Sequence, residues 1–174
     1  MTPGLLVASP QMRDPNFEHA VVLLVSYGPD GSMGVVVNRE TQQRMGDLIT
    51  KMEASSPARA NRAVLWGGPV EPGAGFVLWR GTSVEGWTLG EYSLSPSRDR
   101  LKALVAASSD FWLCLGYAGW GPGQLESEIR EGSWIHLEEG VAGVLEAQVH
   151  DRYDEALRLL GVRPELLWMT PVDE

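Results

Sequence analysis

The feature that most constrains this chain is the apolar run Ala20–Val25, which the turn Gly28-Pro29-Asp30-Gly31-Ser32 soon follows. Six apolar residues without alternation suit a strand buried on both faces. The glycines and proline of the turn send the chain back over Met33–Val37, the second arm of a hairpin that ends at Asn38-Arg39. A doubly buried hairpin must sit at the middle of a sheet with other elements packed on it.

The remaining segments supply those elements. Leu5–Ser9 reads as a short strand stopped by Pro10, and a loop follows through Asp14-Pro15-Asn16-Phe17. Met45, Leu48, Ile49 and Met52 share the i, i+3, i+4, i+7 face of a helix. The polar stretch Lys51–Asn61 reads as a loop. Ala63–Trp66 reads as a strand, and so does Gly75–Trp79 after a Pro-Gly turn. Trp87–Leu94 reads as a short hairpin. Ser95-Pro96 offers an N-cap and a first-turn proline for a helix carrying Leu101, Leu104 and Val105. Phe111–Leu115 is an apolar strand that runs into the glycine-rich loop Gly116–Gly123. A helix opens at about Gly123, with Glu126 and Arg130 as an i, i+4 pair and Gly132 just past its end. Trp134–Leu137 reads as a strand, Val141–Leu145 as a strand or turn, and Tyr153–Leu160 as an amphipathic helix closed by Gly161. Strands outnumber helices and hairpin signals outnumber crossovers, so the expected class is α+β with a mostly antiparallel sheet. No linker or repeat divides the chain, and one domain over residues 1–174 is expected.

Composition narrows the function. The formal net charge is −9, which opposes phosphate backbones and anionic membranes at long range. The basic residues are scattered and form no run, so direct nucleic-acid binding is disfavoured. The single cysteine, Cys114, lies in an apolar strand with no visible thiolate-stabilising neighbour and reads as an inert thiol. The N-terminal segment lacks the pattern of a signal peptide and no long apolar span occurs, so a cytoplasmic address without membrane association is expected.

Known site chemistries find little purchase. His19, His136 and His150 are far apart and outside any metal motif, so no metal or cofactor is expected. Gly81-Thr82-Ser83-Val84-Glu85 places Glu where a nucleophile elbow needs glycine. Gly119-Trp120-Gly121-Pro122-Gly123-Gln124 begins like a dinucleotide fingerprint and lacks its last glycine.

Three segments carry more glycine, polar and aromatic residues than a plain strand end needs. The first is Ser9–Phe17 with Gly34 and Asn38-Arg39. The second is Gly67-Gly68-Pro69-Val70 followed by Gly75–Leu78. The third is Gly116-Tyr117-Ala118-Gly119-Trp120-Gly121-Pro122-Gly123-Gln124-Leu125-Glu126, ending near Trp134. Together they resemble the YqgE/AlgH family of bacterial proteins over about residues 4–161. The tail Val162–Glu174 lies outside the shared pattern, and Arg152-Tyr153 stands where the family commonly has tryptophan. The resemblance implies a bifurcated sheet closing into a pseudo-barrel flanked by helices. It brings a label of transcriptional regulator in alginate production, and no catalytic set or cofactor.

The candidate ligand-binding residues are Asn38, Arg39, Gly68, Tyr117, Trp120, Gln124 and Glu126. A glycine-rich entry to a helix exposes N–H groups that favour an anion, and Arg39 is suited to a carboxylate, a phosphate or Glu126. The same residues also suit a purely structural role, as close-packing glycines, core aromatics and loop caps. The leading expectation is a non-enzymatic regulatory or binding module acting through a small ligand or a protein partner. The alternatives are an enzyme using carboxylates such as Asp14 and Glu126, and direct DNA contact, which the acidity disfavours.

Overall fold

In the computed structural model, residues 2–51, 61–82 and 85–161 are described. Residues 52–60 of the expected polar loop, Ser83-Val84 and the tail Val162–Glu174 lie outside the described residues. The sheet grows from the hairpin of β2 (Val21–Gly28) and β3 (Gly31–Val36), in which Gly28 faces Gly31 across the turn residues Pro29 and Asp30. The run Val21–Leu24 is fully buried, as a strand covered on both faces requires. Burial of each such side chain contributes roughly 1.5–3 kcal/mol. Strand β1 (Gly4–Ala8) lies between β2 and β10 (Trp134–Leu137), antiparallel to both.

The sheet forks at β9 (Phe111–Trp120). Along one edge β9 pairs with β6 (Val70–Arg80), from Phe111 to Tyr117. On the other edge it pairs first with β5 (Ala63–Trp66), in parallel, at Cys114 and Leu115. It then pairs with β3, antiparallel, from Ala118 to Trp120. Strand β4 (Glu40–Arg44) extends the β5 branch, and the hairpin β7 (Trp87–Leu89) and β8 (Tyr92–Ser95) continues beyond β6. The 10-stranded sheet follows the path β10-β1-β2-β3-β9-β6-β8-β7, with β4 and β5 off it, and the path is open at both ends among the described residues.

The fold is thus α+β with a forked, mostly antiparallel sheet flanked by helices, and the expected closure into a pseudo-barrel is not made among the described residues. Instead of pairing, Thr88–Glu91 of the β7–β8 turn and Gly140–Ala142 beyond β10 line a crevice of about 430 Å³. The helices α1 (Met45–Lys51) and α2 (Arg98–Ala106) cover the β5–β6–β9 half, where Met45, Ile49, Leu101 and Leu104 pack on Trp79 and Phe111. The helices α4 (Val141–Glu146) and α5 (Arg152–Leu159) cover the half built on β1 and β2. No helix among the described residues is long and apolar enough to cross a membrane.

Four local expectations need correction. The segment Gly116–Trp120 is strand, because its backbone completes the ladders to β6 and β3. The segment Val70–Arg80 is one strand in which the Pro-Gly step becomes a bulge, with Glu71 at φ 46°. The N-cap of α2 is Ser97, whose Oγ accepts from Arg100 N at 3.1 Å; Ser95 stays in β8, paired with Val77. Val141–Leu145 is helical, entered through Gly140 at φ 89°.

Candidate functional site

The three glycine-bearing segments converge on the fork. Gly67 fills its notch, donating from N to Leu115 O at 2.7 Å and accepting at O from Val36 N at 2.8 Å. Beside it the backbones of β9 and the β5–β6 link touch. A Cβ on Gly68 would lie 2.1 Å from Tyr117 C, and one on Gly116 would lie 2.3 Å from Gly68 O. Gly116 also has φ +80°, a conformation that side-chain-bearing residues rarely adopt. The Gly-Gly-Pro-Val and Gly-Tyr-Ala-Gly sequences therefore share one cause, the close approach of two strands where the sheet divides.

Asn38 and Arg39 fasten the loop before β2 to the end of β3. Asn38 Nδ2 donates to His19 O and its Oδ1 accepts from Val21 N, both at 2.8 Å. Arg39 Nη1 and Nη2 donate to Asn16 O at 2.6 Å and Glu18 O at 2.9 Å, while its guanidinium lies 4.9 Å from the Trp66 ring centre. Glu126, one of the partners the sequence allowed for Arg39, does not pair with it; the guanidinium is taken by these carbonyls. The loop so held presents Phe17 to Trp66, Trp120 and Trp134, with ring centres 6.5, 6.4 and 5.5 Å apart. Phe17 thereby joins the first segment to the third and to Trp66, the residue before the second.

At the far end of β9 the hub is Glu128, on α3 (Gln124–Arg130), which sequence reading did not nominate. Its Oε1 accepts from the indole N–H groups of Trp120 and Trp134, each at 3.0 Å, and its Oε2 accepts from Gln124 Nε2 at 2.9 Å. Gln124 Oε1 in turn accepts from Gly121 N at 2.9 Å and closes the entry to α3. Glu126 Oε2 accepts from Tyr27 OH at 2.6 Å, which holds the Glu126 carboxyl below the usual carboxylate range and raises the Tyr27 phenol. Tyr117 OH donates to Glu71 Oε2 at 3.0 Å. The one signal for Glu128 in the sequence is its i, i+4 spacing from Gln124.

Asp14, the other candidate acid, is exposed. Its Oδ1 accepts from Asn16 N at 2.9 Å as the cap of a turn.

A second polar region lies elsewhere, in a cleft of about 830 Å³ where the ends of β4, β6 and β9 meet the segment from α4 to α5. Among the described residues four arginines line it, Arg44, Arg62, Arg80 and Arg152, with the carboxylates Glu40, Asp110 and Glu146. Arg62 pairs with Asp110 at 2.7 Å and lies 3.9 Å over Trp112; Arg80 pairs with Glu91 and reaches Glu146 at 3.6 Å. Arg152 is 1% exposed. It donates to the carbonyls of Val37, Leu145 and Ala147 at 2.6, 2.7 and 3.2 Å, two of them at the C-terminal end of α4. Its guanidinium also lies 5.1 Å from the Trp112 ring centre. Burial lowers it to about 10, and the nearby charge of Arg62 adds to that shift. The arginines lie on separate elements with long gaps between them, so no motif marked them.

The sequence and the overall architecture match known proteins. The AlgH-like family model matches residues 5–165. A UPF0301 protein of Myxococcus xanthus is 42% identical over 173 residues, covering 97% of this chain and 96% of that protein. A UPF0301 protein of Paracoccus denitrificans is 39% identical over 184 residues, covering 96% of this chain and 93% of that one. The solution structure of the AlgH protein from Pseudomonas aeruginosa aligns with a TM-score of 0.77 and 33% identity, over 99% of this chain and 95% of that one. This chain belongs to the AlgH-like family.

Proposed function

We propose that this protein is a non-enzymatic regulatory or binding module, and that its small-ligand site is the arginine-lined cleft. The observation that carries the reading is the contrast in open volume. The polar groups around the fork are bonded to one another, whereas the cleft sets charged and aromatic side chains around about 830 Å³ of open space. That volume lies within the range of small-molecule sites. The carboxylate chemistry considered for Asp14 and Glu126 gains no support, since one caps a turn and the other is held ionised by a tyrosine hydroxyl. A net charge of −9 weighs against direct DNA contact.

A thermal-shift screen of nucleotides, organic acids, sugars and amino acids tests the reading. A ligand at about 100 times its Kd adds roughly 2.7 kcal/mol to the folded state. The shift it produces should vanish in Gln148→Trp, which places a bulky ring at an exposed position of the cleft wall. A shift that persists in this variant would move the site elsewhere.

A further inference from the structure

The charges of the cleft point to the chemistry of its occupant, given the reading of the cleft as the ligand site. Four guanidiniums face three carboxylates. Asp110 is matched by Arg62, and Glu146 by Arg80, which also holds Glu91. Arg44 and Arg152 then remain against Glu40 alone. With Glu91 counted, four guanidiniums meet four carboxylates, a local balance in a chain whose total is −9, and the unmatched cation lies on the Arg44–Arg152 side. Arg152 is met by three backbone carbonyls and by no carboxylate within salt-bridge distance among the described residues. Withdrawing a guanidinium from water costs several kcal/mol, and carbonyl dipoles offset this only in part. An anion entering the cleft would offset more.

Geometry adds a recognition element. The Arg62 guanidinium carbon lies 3.9 Å over the Trp112 ring centre, and the side chain is 15% exposed. The ring contact and the bonds to Asp110 and Phe111 O hold the guanidinium, whose fork matches a carboxylate or a phosphate. Its partner Asp110 is 61% exposed at the rim, a solvated carboxylate that a tighter-binding anion can replace. Arg44 is exposed on the same wall. The volume exceeds what one oxyanion fills, and the half-buried rings of Tyr92 and Trp112 offer surface to an organic body.

We propose that the cleft binds an organic anion, whose carboxylate or phosphate group is taken by Arg62 and Arg44 while Arg152 supplies fixed positive charge in the wall. Arg62 Nη1 donates to both Asp110 Oδ1 and Phe111 O, and the ligand displaces Asp110.

The test is a titration of the full chain with AMP, inorganic pyrophosphate and citrate, with adenosine as the uncharged counterpart of AMP, followed by tryptophan fluorescence from Trp79 and Trp112 in the cleft. At least one anion should bind, and more weakly as salt rises. Arg62→Gln and Arg44→Gln should each weaken it by about tenfold, the loss of one charge-assisted bond, and Asp110→Asn should tighten it. Citrate alone would identify a carboxylate ligand; AMP or pyrophosphate alone would identify a phosphate. Arg44→Gln changes an exposed side chain, so its effect cannot be ascribed to misfolding. Anion binding unchanged in both arginine variants, or adenosine bound as tightly as AMP, would overturn the anion assignment and leave the cleft as the ligand site. Silence from all three anions would also overturn it, and the wider screen with Gln148→Trp would then decide the cleft reading separately.

Discussion

Around Glu128 each polar group is bonded to a neighbour in the same cluster, whereas four arginines line a cleft of about 830 Å³, with Arg44 exposed on its wall. The first region is conspicuous in the sequence and the second is invisible there. The difference shows what a glycine-rich, aromatic and polar segment can be for. Where a sheet forks, two strands must approach more closely than side chains allow, and glycines supply the room. The polar groups stranded at the fork must then find partners. A structural demand of that kind concentrates the same residue types as a ligand loop would.

The strongest way to break this contrast is at the fork. Gly116→Ala places a methyl group 2.3 Å from Gly68 O on a residue at φ +80°. A loss of about 4 kcal/mol or failure to fold is expected in urea unfolding. The matched variant Gly123→Ala, at φ +75° with nothing within 4 Å of the added carbon, should lose about 1–2 kcal/mol. Equal losses would mean that backbone conformation, and not close approach, explains the glycines.

Glu128→Ala comes next. It strands the indole N–H groups of Trp120 and Trp134, which are 6% and 2% exposed. A loss of about 2–4 kcal/mol is expected, and Glu128→Gln, which keeps one acceptor, should lose less. A stability change below about 1 kcal/mol would show that the hub is not needed to hold the fork.

The interior of the fork can be probed through Cys114, a fully buried thiol that burial pushes up from 9.0 to about 12. Below pH 9 it is protonated in both folded and unfolded chains. Above that the unfolded chain ionises first, so the stability contributed by burying the neutral thiol falls as pH rises from about 9 toward 12. Cys114→Ala should flatten this slope, and native Cys114 should resist alkylation at pH 8. Rapid alkylation of the folded protein would contradict a dry fork. The smallest effect belongs to the cleft: Arg44→Gln should leave stability within about 0.5 kcal/mol while weakening anion binding.

Legibility followed local cause. The hairpin β2–β3 could be read because two-sided burial removes alternation, and Pro29-Asp30 marks its turn. The helix α4 escaped because its six residues are too few to repeat the i, i+3, i+4 spacing that Val141, Val144 and Leu145 begin. The strand β9 looked five residues too short because glycines ordinarily punctuate, and here they serve strand contact. Phe17, Trp66, Trp120 and Trp134 lie in or beside the segments that stood out, yet their meeting depends on the fork. Arg44, Arg62, Arg80 and Arg152 come together only through tertiary packing.

The measurement that bears most directly on the central claim is calorimetric titration of one bound anion into Gln124→Ala and Arg62→Gln, with both variants shown to be folded. The expected result is affinity near the unaltered protein's for Gln124→Ala and about tenfold weaker binding for Arg62→Gln. The reverse, with binding lost in Gln124→Ala and kept in Arg62→Gln, would place the ligand at the glycine-rich fork and contradict the account.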